Sequence, residues 1–122
     1  MTTIDTGKHH SFSRSSRPEA TLDHESERLT RKRETALGYR IMASWGWGAD
    51  GSGHITARDP ERSDCFWLLG YGIPLGEATI DDLVLVKHSG QIVEGAHDIN
   101  PAALCIHAPI HAARPDVVGA IH

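Results

Sequence analysis

Two cysteines in 122 residues, at positions 65 and 105, are too few and too far apart for a disulfide framework or a zinc pair. Both read as reduced, buried, small apolar side chains. Long apolar runs are missing as well. The N-terminus carries none of signal-peptide or membrane-spanning length, so no membrane association is expected and the expected location is the cytoplasm. A basic surplus is also lacking. Twelve Lys and Arg stand against sixteen Asp and Glu, a formal net charge of -4, whereas contacts to nucleic-acid phosphates need a basic face. The one basic cluster, Arg28, Arg31, Lys32 and Arg33, is interleaved with Glu25, Glu27 and Glu34, and reads as a solvated helix face. Aromatic residues make up only 6% of the chain. Trp45, Trp47 and Trp67 are therefore read as core and interface anchors, not as a base-stacking platform. No Gly-x-x-x-x-Gly-Lys, dinucleotide fingerprint or Gly-x-Ser-x-Gly elbow occurs. Disulfide scaffolds, nucleic-acid binders, P-loop proteins and serine hydrolases are thereby set aside.

What is present in excess is histidine, nine in a chain long enough for one small domain. Residues 1–22 are rich in Ser, Thr, His and Arg and nearly free of large apolar residues, which predicts a disordered leader holding His9 and His10. His24 lies just beyond it and is expected to be solvated. From position 23 the pattern changes. Leu29, Leu37, Ile41 and Trp45 recur at multiples of four, with Ala36 and Met42 beside them, which predicts an amphipathic helix ended by Gly46-Trp47-Gly48. Strands are predicted at 54–58, 65–69, 83–86 and 91–94, separated by glycine- and proline-containing turns. Asn100 and Pro101 are a helix-start signal, and that helix is expected to stop near Arg114-Pro115. Val117 to Ile121 reads as a further strand. Short turns between consecutive strands predict a mostly antiparallel sheet flanked by helices.

Within this layout, His107 and His111 are four apart on one helix and share a face, the spacing of a two-histidine metal pair. No glutamate lies between them, so the preferred reading is a pair partly buried against the sheet or lining a cleft. Pro109 predicts a kink between them. His54 follows glycines at the mouth of a strand, where a small anion could meet backbone N–H groups. Substrate contact and local structural bonding are both open for it. Arg58 is expected to pair with Asp59 or Glu61 in a structural salt bridge, with a substrate carboxylate as the alternative partner. His88 is a turn residue and His97 a loop residue.

Three stretches are specific in combination: Gly51-Ser52-Gly53-His54-Ile55-Thr56-Ala57-Arg58-Asp59-Pro60, Asp82-Leu83-Val84-Leu85-Val86, and Ala112-Ala113-Arg114-Pro115-Asp116-Val117-Val118-Gly119-Ala120-Ile121-His122. In this order the chain resembles the class II aldolase/adducin family, adducin-like branch, over roughly residues 25–122. The resemblance implies an α/β/α sandwich around a largely antiparallel sheet, with 23–122 a partial domain that stops after about half of the family domain. It also implies a homo-oligomer and a small-molecule substrate, with a divalent metal held by three histidines in an intact parent. Zinc is the first expectation for that metal, iron or manganese the alternatives.

Carried over residue by residue, His122 falls on the first metal histidine, while Gly53, His54 and Gly72 fall on the substrate loops. The family's acid/base glutamate falls on Ala103, which cannot move a proton. The chain by itself is then expected to bind no metal tightly and to be inactive. Two other readings follow from the same resemblance. One is a non-catalytic adducin-like assembly domain, for which direct actin binding is not expected. The other is a fragment of an iron-dependent oxidative decarboxylase of aromatic acids.

Overall fold

The structure is a computed structural model that describes residues 23–122. The expected disordered leader lies outside the described residues. Helix α1 spans His24–Ser44, with Glu25 and Glu27 in its first turn, where the helix dipole favours negative charge. Strands β1 (Ile55–Arg58), β2 (Cys65–Leu69), β3 (Leu83–Lys87) and β4 (Ile92–Glu94) follow. Helix α2 runs from Pro101 to Ala113, and β5 covers Gly119–Ile121. The sheet order is β4-β3-β2-β1-β5, and every pairing is antiparallel.

The continuous apolar run of β2 follows from its central place. Strands covered on both faces need apolar residues at every position. On one face Trp67 and Leu69 pack with Tyr39 and Met42 of α1 and with Leu83 and Leu85 of β3. On the other face Phe66 and Leu68 pack with Ala103 and Ala108 of α2 and with Val86. The result is the expected α/β/α sandwich.

Several local expectations are corrected. Leu37, Ile41 and Trp45 do not face the core. They are 57%, 40% and 63% exposed, and Trp47 is exposed beside them, so of the three tryptophans only Trp67 is a core residue. The buried face of α1 contains Thr35, Tyr39 and Met42, and toward the N-terminus it continues through Arg28 and Lys32. These positions are spaced by four and three, a true helical stripe. The basic run is accordingly not a purely solvated face. Arg28 bonds the buried Asp59 carboxylate at 2.8 Å, and Lys32 Nζ sits 4.2 Å from the centre of the Trp67 ring. Arg58 pairs with neither Asp59 nor Glu61. Its guanidinium donates to the carbonyls of Val117, Ser63, His111 and Arg114. Cys105 is exposed, unlike the buried Cys65. Pro109 lies on the same outer side of α2, where water can serve the carbonyl left without an N–H partner, and the helix continues through it.

One feature of the sheet shapes the rest of the molecule. Strands β1 and β2 pair at Ala57–Trp67 and Arg58–Phe66, but the ladder stops before Ile55 and Leu69. The Tyr39 hydroxyl stands between them. It donates to the Ile55 carbonyl at 2.8 Å and accepts from the amides of Ile55 (2.9 Å) and Leu69 (3.3 Å). Burial raises the pKa of this phenol, so it stays a neutral donor. Removing the hydroxyl leaves buried backbone groups without partners, at about 1–3 kcal/mol per group. Tyr39→Phe is expected to lower stability by about 3 kcal/mol in urea unfolding with an unchanged m-value.

Candidate functional site

The gap held by Tyr39 opens into a cavity of about 810 Å³. Its walls are the loop 46–53, the loop 70–76 and the first turn of α2, with Tyr39 and Leu69 at the base. The loops reach this shape through left-handed glycines. Gly48 has φ 75°, and a Cβ there would overlap Leu75 Cδ1. Gly53 has φ 98°, and a Cβ there would meet Met42 Cε at 2.9 Å. Only glycine fits both the dihedral and the space. At the third wall the Asn100 side chain accepts from the Ala102 amide at 3.0 Å and fixes the start of α2, with Pro101 at the first position.

The structure brings Gly53, His54 and Gly72 together, because all three line this cavity. His54 is buried. Its backbone N–H donates to the His122 carbonyl and its carbonyl accepts from the His122 N–H, both at 2.9 Å. This pairing stacks the two imidazoles, with centroids 5.5 Å apart and planes 12° from parallel. His122 does not line the cavity but stands against His54. His54 has a lowered pKa, first from burial and then from the charge of His122. Ala103 is fully buried and lines the cavity, so no carboxylate stands in that wall at the point where α2 meets it.

Behind His54 lies a group whose connection the sequence reading missed. His107 is fully buried, with its ring perpendicular to His54 at a centroid distance of 5.4 Å. Thr56 Oγ1 lies 2.8 Å from His107 Nδ1 and 2.8 Å from His111 Nε2. His111 in turn stacks on Phe66, and His88 stacks on the other rings at 6.0 and 6.5 Å. The two α2 histidines are thus wholly buried against the sheet, further than expected, and share Thr56 Oγ1 as a partner. A signal for this was present. His54, Thr56 and Arg58 alternate along β1 and so share one face, opposite a histidine pair at helical spacing. Trp47 and Tyr71, both exposed, also line the cavity, and nothing in the local pattern marked them.

A tetrahedral metal centre takes three or four donors. Among the described residues no three His, Cys, Asp or Glu side chains are placed to share one ion. His107 Nδ1 is engaged by Thr56, and His122 offers a single imidazole. These residues do not by themselves fit a metal centre.

Residues 33–122 match the Class II Aldolase and Adducin N-terminal domain. The decarboxylase NovR of Streptomyces niveus is 43% identical over 89 residues, covering 71% of this chain and 33% of that protein. Human beta-adducin is 31% identical over 99 residues, covering 79% of this chain and 14% of its own length. The chain therefore spans a third or less of these curated relatives. An L-fuculose 1-phosphate aldolase from Glaciozyma antarctica superposes with a TM-score of 0.80 at 34% identity, covering 87% of this chain and 44% of that one. No helix among the described residues is long and apolar enough to cross a membrane.

Proposed function

Because this chain belongs to the class II aldolase and adducin family, we propose that it carries the substrate-binding face of a lyase for small oxygenated compounds, of the decarboxylase type and not the sugar-phosphate type. The observation that carries this is Ala103. It stands buried in the cavity wall, at the position on which the acid/base glutamate of sugar-phosphate aldolases falls by the resemblance of the sequence. A methyl group neither takes nor gives a proton. Around it the cavity offers Trp47, Tyr71, Leu68 and Leu69, an apolar and aromatic wall suited to a flat ring. Gly53, His54 and Gly72 would hold the polar end of the substrate through backbone N–H groups and one imidazole. The decarboxylase relative supports the same choice.

His122 would give one imidazole to a divalent metal whose other donors lie outside the residues described. Binding, not turnover, is the property that tests this reading. Tryptophan fluorescence should change saturably when an aromatic 2-oxo acid is added, and should not change with dihydroxyacetone phosphate. Trp47→Phe should remove the signal, and His54→Ala should weaken binding about tenfold, the effect of losing one good hydrogen bond. Tighter binding of the sugar phosphate than of the aromatic acid would overturn the proposal. Binding of neither would favour the adducin-like assembly reading, for which the exposed line of Leu37, Ile41 and Trp45 on α1 is the supporting observation.

A further inference from the structure

The four side chains behind His54 form a chain of contacts, Arg58 to His111 to Thr56 to His107, in which the direction of one hydrogen bond sets that of the next. Arg58 can only donate, since a guanidinium has no acceptor. Its Nη2, which also donates to the His111 and Arg114 carbonyls, lies 3.3 Å from His111 Nδ1, and a donor-only, positively charged neighbour favours a lone pair on that nitrogen. Burial, reinforced by the Arg58 charge, lowers the His111 pKa to about 4, and the ring is neutral at pH 7. A neutral ring with a bare Nδ1 carries its proton on Nε2. That N–H donates to Thr56 Oγ1 at 2.8 Å. The threonine hydroxyl has one proton of its own, and the remaining neighbour at 2.8 Å is His107 Nδ1. His107 is also neutral, its pKa lowered to about 4 first by burial and then by the charges of His54, His111 and His122. Accepting at Nδ1, it must carry its proton on Nε2.

The Val117 carbonyl near His111 favours the opposite arrangement. It already accepts from Arg58 Nε at 3.1 Å, and a proton on His111 Nδ1 would set two donors against each other, that ring nitrogen and Arg58 Nη2 being 3.3 Å apart. His107 Nε2 is buried and has no hydrogen-bond partner among the described residues. Unsatisfied buried donors are rare in folded proteins and tend to occur where a function needs them.

We propose that Arg58, His111, Thr56 and His107 form a one-way hydrogen-bond relay that fixes His107 as an Nε2–H donor beside His54. His107 is a positioning residue: it sets the imidazole of His54, which in turn stacks on His122. The role assigned to His54 rests on the functional reading above, but the relay itself does not.

The test is nitrogen-15 NMR of the histidine rings in the whole chain at pH 7, with His107 and His111 assigned by substitution. Both rings are expected to show a protonated Nε2 and a bare Nδ1. Thr56→Val should release His107 into the other tautomer or a mixture, and Thr56→Ser should restore the wild-type signature. Thr56→Val should also weaken binding of an aromatic 2-oxo acid several-fold, with Thr56→Ser again restoring it. A protonated Nδ1 on His107 in the wild type overturns the relay, and does so even if Thr56→Val fails to fold. An unchanged His107 tautomer in folded Thr56→Val overturns it too. If the tautomers are as stated but the aromatic acid never binds, the functional reading fails while the relay stands.

Discussion

Acidification from pH 7 to pH 4 is expected to unfold this domain. His107 and His111 are fully buried, and each has a folded pKa of about 4. In the unfolded chain both return to about 6.5. Burial is the main cause for each. The charges of His54, His111 and His122 add to it for His107, and those of Arg58 and His88 for His111. Between pH 6.5 and 4 the unfolded chain therefore binds more protons than the folded one. Stability falls with falling pH across that window, is complete above it and changes little from these groups below it. Each ring contributes about 3 kcal/mol by this linkage, from the difference between about 6.5 unfolded and about 4 folded. Two such rings remove about 6 kcal/mol, comparable to the whole stability of a small domain at 5–15 kcal/mol. Thermal unfolding followed by circular dichroism at intervals from pH 7 to pH 4 reads this directly. A melting temperature at pH 4.5 within a few degrees of that at pH 7 would contradict the argument.

The second large effect is expected at Asp59. Its side chain has no exposure, and its two oxygens accept from five donors: Arg28 Nε and Nη2, Trp67 Nε1, and the backbone amides of Glu61 and Arg62. Burial by itself would raise the pKa of this carboxyl. The bonds from Arg28, Arg62, Trp67 and Glu61 outweigh it and hold the group well below the usual carboxylate range. Asp59→Ala is expected to cost about 3–5 kcal/mol, because it takes the acceptor from Trp67 Nε1 and from the Glu61 and Arg62 amides and leaves Arg28 only its more exposed partners, Glu25 and Glu61. Asp59→Asn should cost less, since the side-chain oxygen can still accept. Adding Arg28→Met to Asp59→Ala should recover part of the loss, as expected of neighbours in one network. Urea unfolding of the four proteins measures this. Additive losses at the two sites would show that the pair is not coupled. The sign with pH is that of a depressed carboxylate. The contribution is complete above about pH 4 and is lost only as pH falls toward the folded value, a window more acid than that of the histidines.

These two sites also show where the sequence was legible. The strands and both helices were readable because each combined a clear period with local stop signals. Examples are the apolar run Cys65–Leu69 and the Asn100-Pro101 start of α2. The orientation of α1 was not. Its core stripe contains Arg28 and Lys32, whose charges are accommodated by Asp59 and by the Trp67 ring, partners that lie beyond the helix. Counting apolar residues therefore selected the opposite side, with Leu37 and Ile41. The cavity glycines and His54 were identifiable from composition and resemblance. The connection between β1 and the α2 histidines was not legible, because it joins Thr56 to His107, 51 residues further along the chain. Each half carried a visible pattern, and only the fold brings the halves face to face.

Tyr39 has a consequence for how the molecule opens. The Ile55 and Leu69 amides hang on a side chain of α1, not on a neighbouring strand. In an ordinary ladder such amides are released when the strands part; here they are released whenever the helix lifts. Helix α1, the start of β1 and the end of β2 are therefore one cooperative opening unit. The β2–β3 pair, with five residues in register, can stay closed while that unit detaches. The base of the cavity is thus only as durable as the seating of α1, and fluctuations of that helix reach the binding site through one hydroxyl group.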